Sequence, residues 1–341
     1  MKKYSRNYTE SGIVLIALLW IFIALSAIVL SFARESHVEV AAARNSQSLE
    51  QAYYVARAGI TETIYRLMYE QYSPRTQQNA LQDEPTPLDL GRVTGEFGGG
   101  RYTVNIQDET GKVNLNSAST TSEEQLRNLM LAAEIPPADA DVITDSILDW
   151  LDTDDSSREN GAEDDYYQTL SPPYSAKNGR FEAIEELLLV RGVTPEYFYG
   201  RPERADDGSI IYKYGLCRYL TVYSNRNQIN VNFAPLPVLL SIPGMTRDSA
   251  ERIFQRRQTE PFRNTLEISE ESVGMLGTTT SQYLTVQTSN TYTLNVSASM
   301  GNSKVRRVIR TVVNLDSGQQ NFYRILYWNE NVPDHVSIPG Y

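Results

Sequence analysis

Cysteine occurs once in the 341 residues, as Cys217, so no disulfide framework can form within the chain, and a small, half-buried residue is the plain expectation there. Histidine is nearly missing as well. His37 and His335 stand at opposite ends, which argues against a His-rich metal site or a Ser-His-Asp triad. Basic residues are in deficit, 31 against 42 acidic ones for a net charge of −11. Nucleic-acid binding needs clustered Lys and Arg, so no nucleic-acid partner is expected. The other gaps are local. No charged side chain occurs from Ile13 to Ala33, and neither Pro nor Gly from Ile13 to Ala58.

What fills those gaps is a long helix. Residues 13–33 give about 30 Å of apolar helix, the thickness of a bilayer core. Lys2, Lys3 and Arg6 precede it, so the positive-inside rule keeps the N-terminus cytoplasmic and exports the rest. A cleaved secretory signal would have a shorter apolar region, although Ser31-Phe32-Ala33 has the small-x-small form of a cleavage site. A plain anchor would not need the continuation. Leu49, Tyr53, Ala56, Ile60, Ile64 and Leu67 recur at steps of three and four, which predicts that the helix leaves the membrane and lays one apolar stripe on a folded domain as far as Tyr72.

At the other end of the apolar run, a short basic leader stops at Gly12 and the helix opens at Ile13. This junction resembles a class III prepilin signal. The resemblance implies that prepilin peptidase cuts after Gly12 and that Ile13 becomes the methylated N-terminus. Most pilins have Glu at the fifth mature position, where this chain has Ala17. That Glu neutralises the terminal amine of a neighbour, so its loss fits either a chain that is no pilin or a subunit with nothing stacked above it.

Beyond the helix (13–72), residues 73–100 read as linker and loop, with Pro74, Pro85, Pro87 and Gly98-Gly99-Gly100. Tyr102, Val104 and Ile106 alternate, Glu109-Thr110-Gly111 turns, and Val113 and Leu115 alternate again, which predicts a hairpin within a first stretch of sheet (73–120). An inserted helical domain is expected over 121–204, with helices at 122–135, 139–152 and 180–193. A sheet hairpin is expected over 205–234, a helix-hairpin-helix-like segment over 235–275, and strands with a tail over 276–341. The pairs Asn114/Asn116 and Asn230/Asn232 stand at two strand-to-helix corners and are read as caps without chemistry. The whole is α+β: a long N-terminal helix packed on a mixed or antiparallel sheet, with a large helical domain inserted in it.

Two constellations stand out. Asp149, Asp152, Asp154, Asp155, Glu159, Glu163, Asp164 and Asp165 crowd one loop, where hard oxygen ligands repel one another unless a cation sits among them. Counting Asp152 as position 1 of a calcium loop puts Asp154 at 3, Ser156 at 5, Asn160 at 9 and Glu163 at 12, but Ser157 replaces the glycine required at 6. The candidate Ca²⁺ ligands are Asp152, Asp154, Asp155, Asn160, Glu163 and Asp164. A solvated acidic loop and a paired-carboxylate hydrolase are the competing readings. The second constellation is Ile242–Arg257. Gly244 between two short helices, with Arg252, Arg256 and Arg257 nearby, resembles a helix-hairpin-helix, which serves either to bind DNA backbone or only to pack.

The stretches DETGKVNLNSA, ILDWLDTDD, NGAEDDYY, PPYSAKNGRFEAIEELLLVRGVTPEYFYG and INVNFAPLPVLLSIPGM together look like the general secretion pathway protein K family, minor pseudopilins of type II secretion. The absent Glu is a trait of that family. The resemblance implies a pilin-like fold and no enzymatic activity. It implies a single-pass inner-membrane subunit, its bulk in the periplasm, at the tip of a pseudopilus. There it would start and cap assembly with I- and J-type minor pseudopilins, and growth of the filament would export folded proteins. It also implies Ca²⁺ in the helical domain, without the disulfide that can accompany such sites, since Cys217 has no mate. The rival readings are a minor pilin of a type IV pilus or DNA-uptake system and a calcium-dependent hydrolase on an anchor.

Overall fold

The computed structural model describes residues 9–72, 91–117, 123–204, 210–224, 227–271, 282–301, 303, 305–315, 322–330 and 332. The basic leader residues and His335 lie outside them. Helix α1 (Thr9–Tyr72) is continuous for 64 residues, roughly 95 Å, and runs through Gly12 and Ile13. Residues 14–47 are exposed, and this part is long and apolar enough to cross a membrane. Further on, the expected stripe is buried from Ala56 to Leu67, whereas Leu49 and Tyr53 are half-buried. Ala56, Ile60, Ile64 and Leu67, with Val55, share one core with Tyr102, Val104, Leu294, Val296 and Ile309.

That core lies between α1 and a five-stranded antiparallel sheet. The next strands along the chain are β1 (Arg92–Phe97), β2 (Gly100–Asp108) and the short β3 (Val113–Asn114). Part of the expected linker is therefore a strand. Gly98 (φ 58°) and Gly99 (φ 80°) make the two-residue left-handed turn that closes a β1–β2 hairpin. The hairpin expected across Glu109–Gly111 does not form. Asp108 instead caps a single 3-10 turn, accepting from the Thr110 amide at 2.8 Å, and the chain leaves the sheet.

It returns only at β9. In between come α2 (Glu123–Ala132), α3 (Pro137–Leu151), α4 (Asp164–Tyr167), α5 (Pro195–Tyr199), a small hairpin of β4 (Arg201–Arg204) with β5 (Ile210–Lys213), β6 (Leu220–Thr221), β7 (Ile229–Asn230), α6 (Leu236–Ser241), α7 (Arg247–Thr259), α8 (Thr265–Glu271) and β8 (Leu284–Thr285). Then β9 (Thr291–Met300), β10 (Arg306–Asn314) and β11 (Arg324–Asn329) complete the sheet, in the order β1-β2-β9-β10-β11. The insertion thus separates two strands that are hydrogen-bonded neighbours, with Asp108 opposite Tyr292. It has its own apolar core, which includes Leu126, Leu129, Ile143, Ile147, Trp150, Leu187, Phe198 and Leu239.

Two other expectations change. Over 180–193 only a 3-10 turn forms, at Ile184–Leu189, because the Glu186 carboxylate folds back to accept from the amides of Glu182 (2.8 Å) and Ala183 (2.9 Å). The segment 205–234 is not a hairpin of the main sheet: β6 pairs in parallel with β3, and β7 with β8.

These two parallel pairs expose an internal repeat. The amides of Val113 and Leu115 donate to the carbonyls of Tyr219 and Thr221, and those of Ile229 and Val231 to the carbonyls of Tyr283 and Thr285. Asn116 grips the backbone of Phe181 from both sides, Nδ2 to its carbonyl and Oδ1 from its amide, each at 2.8 Å. Asn232 grips Phe262 identically, each at 2.9 Å. Asn114 and Asn230 accept from the Asn116 and Asn232 amides, both at 3.0 Å. The asparagines are therefore clamps that close two copies of one module, not helix caps. The repeated tetrapeptides Tyr219-Leu220-Thr221-Val222 and Tyr283-Leu284-Thr285-Val286 are the signal in the sequence that marks the duplication.

Candidate functional site

The acidic loop belongs to the first copy. It begins on α3, where Asp141, Asp145, Asp149 and Asp152 follow at steps of four, four and three and so share one face. Asp149 and Asp152 stand at the C-terminal end of that helix, where the partial charge is already negative and no basic residue occupies the last turn. The loop then turns back over this face. Asp149 is fully buried and accepts from the Arg158 amide (3.1 Å), with the Arg158 guanidinium at 3.3 Å. Gly161 is required at the return, since a Cβ there would fall inside the Asp149 carboxylate.

Glu163 is the centre of the arrangement. It is 2 % exposed, and neither carboxylate oxygen has a hydrogen-bond partner. Burial, then the charges of Asp149, Asp152, Asp155 and Asp154, push its pKa up to about 7. Asp152 has one buried oxygen without a partner, and its pKa is raised by burial and by Asp154. A buried carboxylate without hydrogen-bond partners, in the field of four others, fits a hard divalent cation, which would satisfy the oxygens and cancel the repulsion together.

The six expected ligands do not converge as a set. The charges of Asp152, Asp154 and Asp155 all act on Glu163, whereas Asn160 turns away, its amide and Nδ2 both donating to Asp145 at 3.0 Å. Asp164 caps a different backbone segment, accepting from the Ala176 amide at 2.7 Å. Asp154 also accepts from the Ser156 amide at 2.9 Å. Among the described residues, no three His, Cys, Asp or Glu side chains form a ready-made metal cage. Two residues outside the expected set lie beside it: Asp149, from the helix, whose charge acts on Glu163, and Asn178, which donates to Asp155 and whose Oδ1 is buried without a partner.

The other constellation is committed internally. Gly244 (φ 77°) turns the chain between α6 and α7, and Thr246 caps α7 by accepting from the Ser249 amide at 3.2 Å. Arg252 pairs with Asp248, and Arg256 with Glu267. Arg257 donates to the carbonyls of Val231 (2.6 Å) and Ala234 (2.5 Å), and its burial lowers its pKa to about 10. The hairpin thus braces the second Asn corner. Cys217 is buried, more deeply than its sequence context suggests.

A long apolar helix on an antiparallel sheet, with a two-copy helical domain between neighbouring strands, defines a pilin-like protein with an inserted domain. Two family models match parts of the insertion. The first, "Type II secretion system (T2SS), protein K", covers residues 111–199, within the first copy, and a second of the same description covers 229–287, close to the limits of the second copy. The Type II secretion system protein K of Pseudomonas aeruginosa is 25 % identical over 270 residues, 75 % of this chain and 74 % of the relative. That of Dickeya chrysanthemi is 30 % identical over 158 residues, 45 % and 40 % of the two chains. A chain of the GspK-GspI-GspJ complex of the enterotoxigenic Escherichia coli Type 2 Secretion System shares the fold, with a TM-score of 0.59 at 19 % identity, over 84 % of this chain and 98 % of that one. In the regions that the family models match, the chain is similar to the type II secretion system protein K family.

Proposed function

We propose that this chain is the tip subunit of a type II secretion pseudopilus, a non-enzymatic minor pseudopilin that starts and caps assembly with I- and J-type partners. The observation that carries the reading is the placement of the insertion between Asp108 and Thr291, on a sheet that a long membrane-compatible helix supports. A bulk of that size on one subunit obstructs the addition of another above it. The solved complex that shares the fold joins K, I and J proteins, which supports the choice of partners. The apolar helix can exchange lipid for the helices of neighbouring subunits with little loss of apolar burial.

In this reading prepilin peptidase cuts after Gly12 on the cytoplasmic side of the inner membrane, and methyl-Ile13 begins a single-pass subunit whose bulk is periplasmic. Ca²⁺ occupies the acidic loop, held by Glu163 and Asp152 with Asp149 and the nearby Asp154 and Asp155, and supplies charge neutralisation there. Mass spectrometry of the mature N-terminus tests the class: N-methyl-Ile13 is expected, and a retained leader or a start near Arg34 would overturn it. Removal of residues 122–270 is expected to leave membrane insertion intact and to yield longer or misinitiated filaments. Unchanged filament number and length would remove the capping role.

A further inference from the structure

The two copies close in the same way over different distances. In the second, α7 ends at Thr259, and Phe262, the residue gripped by Asn232, follows directly after Glu260 and Pro261. In the first, α3 ends at Leu151, and Phe181, gripped by Asn116, follows only after the acidic loop and its return, residues 152–180. Asn178 stands where that loop meets the clamp. Its Nδ2 donates to Asp155 Oδ1 at 3.1 Å and to the Asp154 carbonyl at 3.2 Å. Its Oδ1 is buried and orphaned, and its backbone is left-handed, with φ 45°. Asparagine is the non-glycine residue that most readily adopts that conformation, and here it turns the chain towards the clamp. Next to it, the Gly179 amide donates to the Trp150 carbonyl at 3.0 Å, and the Trp150 ring stacks on Phe181 with centroids 6.3 Å apart. The acidic residues and the clamp are thus joined through one side chain and its neighbour.

We infer that Asn178 is a positioning residue that couples a cation in the acidic loop to the Asn116–Phe181 clamp, so that metal locks the first copy while the second closes without it. This rests on the Ca²⁺ reading above. Repulsion among Asp149, Asp152, Asp154, Asp155 and Glu163 spreads the loop when no cation is present. Spreading moves Asp154 and Asp155, on which Asn178 leans, and so loosens the path that delivers Phe181 to Asn116. The second copy has only Glu260 and Pro261 in that place, and no acidic cluster to neutralise.

The test uses the full chain in detergent micelles, with CaCl₂ as the probe. Amide hydrogen exchange is followed at Phe181 and Phe262, whose N–H groups donate to Asn116 and Asn232 respectively. Chelation with EGTA is expected to speed exchange at Phe181 by about tenfold or more and to leave Phe262 unchanged. In calorimetric titration, Asn178→Gly, which keeps the left-handed backbone and removes the amide, and Asn116→Ala are each expected to weaken Ca²⁺ binding about 10–100-fold. Asn232→Ala should leave it at the wild-type value. If Phe181 and Phe262 respond alike, or Asn178→Gly binds Ca²⁺ as wild type does, the coupling is overturned while the Ca²⁺ reading stands. Absence of Ca²⁺ heat with the wild-type chain overturns both. The exchange contrast needs no variant, so a variant that fails to fold does not shield the inference.

Discussion

At the scale of single residues, the most consequential side chain is Glu163, because it combines burial, like charge and missing partners. Its ordinary pKa is 4.5 and its folded value about 7. Below pH 4.5 the carboxyl is protonated in both the folded and the unfolded chain. Between those values the folded chain still holds a proton that the unfolded chain has released, so without metal the Glu163 contribution is lost as pH rises towards 7. The full effect is on the order of 3 kcal/mol. In chelator, the wild-type chain is therefore expected to melt lower at pH 7.5 than at pH 5, and Glu163→Gln to flatten that difference and lose the stabilisation by Ca²⁺. Thermal melts at the two pH values, with and without CaCl₂, check both, and a variant that still gains stability from Ca²⁺ would remove Glu163 from the site. Gly161→Ala acts on the same spot by steric means, forcing the return of the loop off Asp149, and is expected to abolish Ca²⁺ binding in titration while the second copy stays folded.

At the scale of elements, α1 is placed on the sheet by close approaches at Gly59 and Gly100. A Cβ at Gly59 would meet the Tyr102 ring at 2.6 Å, and the Tyr102 hydroxyl donates to Glu62 one turn further on. Burial, then that hydrogen bond, pushes the Tyr102 pKa up to about 12. Gly59→Ala would gain about 1 kcal/mol of helix propensity, yet it is expected to destabilise by about 1–3 kcal/mol net through overpacking, as urea unfolding would show. A neutral or stabilising result would mean that α1 shifts along the sheet at no cost. The stripe that docks here is legible in the sequence because 3.6-residue periodicity is local, and so are α2, α3 and the alternation in β9 and β10. Strand partners are not. Alternation at Val113 and Leu115 identifies extended backbone but cannot say that the mate lies at Leu220, and the glycines around β1 read as loop although two of them make its hairpin turn. The acidic loop was legible as chemistry and not as geometry. Charge density marks Glu163 and Asp152, and also Asp164, which instead caps the Ala176 backbone, whereas Asn160 follows from a loop register in which Asp149, reaching in from α3, has no place.

At the scale of the whole molecule, the core of the insertion reaches the sheet at Val308 of β10, and beside that apolar contact lies a buried polar layer. Asp108 accepts from the Ser289 amide (3.2 Å) and hydroxyl (2.9 Å), stapling the points where the chain leaves and rejoins the sheet. Glu109 accepts from Lys112 (2.5 Å) and Thr293 (2.6 Å) and also from Thr221, linking β9 to β6. Burial alone would raise the Glu109 pKa, but the Lys112 charge and these hydrogen bonds outweigh it and hold the group below 4.5. Its contribution is therefore present above pH 4.5 and lost as pH falls through the folded value. Glu109→Gln leaves the Lys112 ammonium buried without its counter-charge, a loss of about 3–5 kcal/mol, while the apolar contacts within each core persist. The three tryptophans allow this to be followed body by body: Trp20 lies in the apolar helix, Trp150 in the core of the insertion, and Trp328 against the core under the sheet. In chains retaining only Trp150 or only Trp328, urea transitions are expected to coincide for the parent, to separate in Glu109→Gln, and to draw together again when Lys112→Met is added. Acid should reproduce the separation in the parent below pH 4.5. If the transitions stay coincident in Glu109→Gln, apolar contact and not the buried ion pair fixes the inserted domain over the sheet.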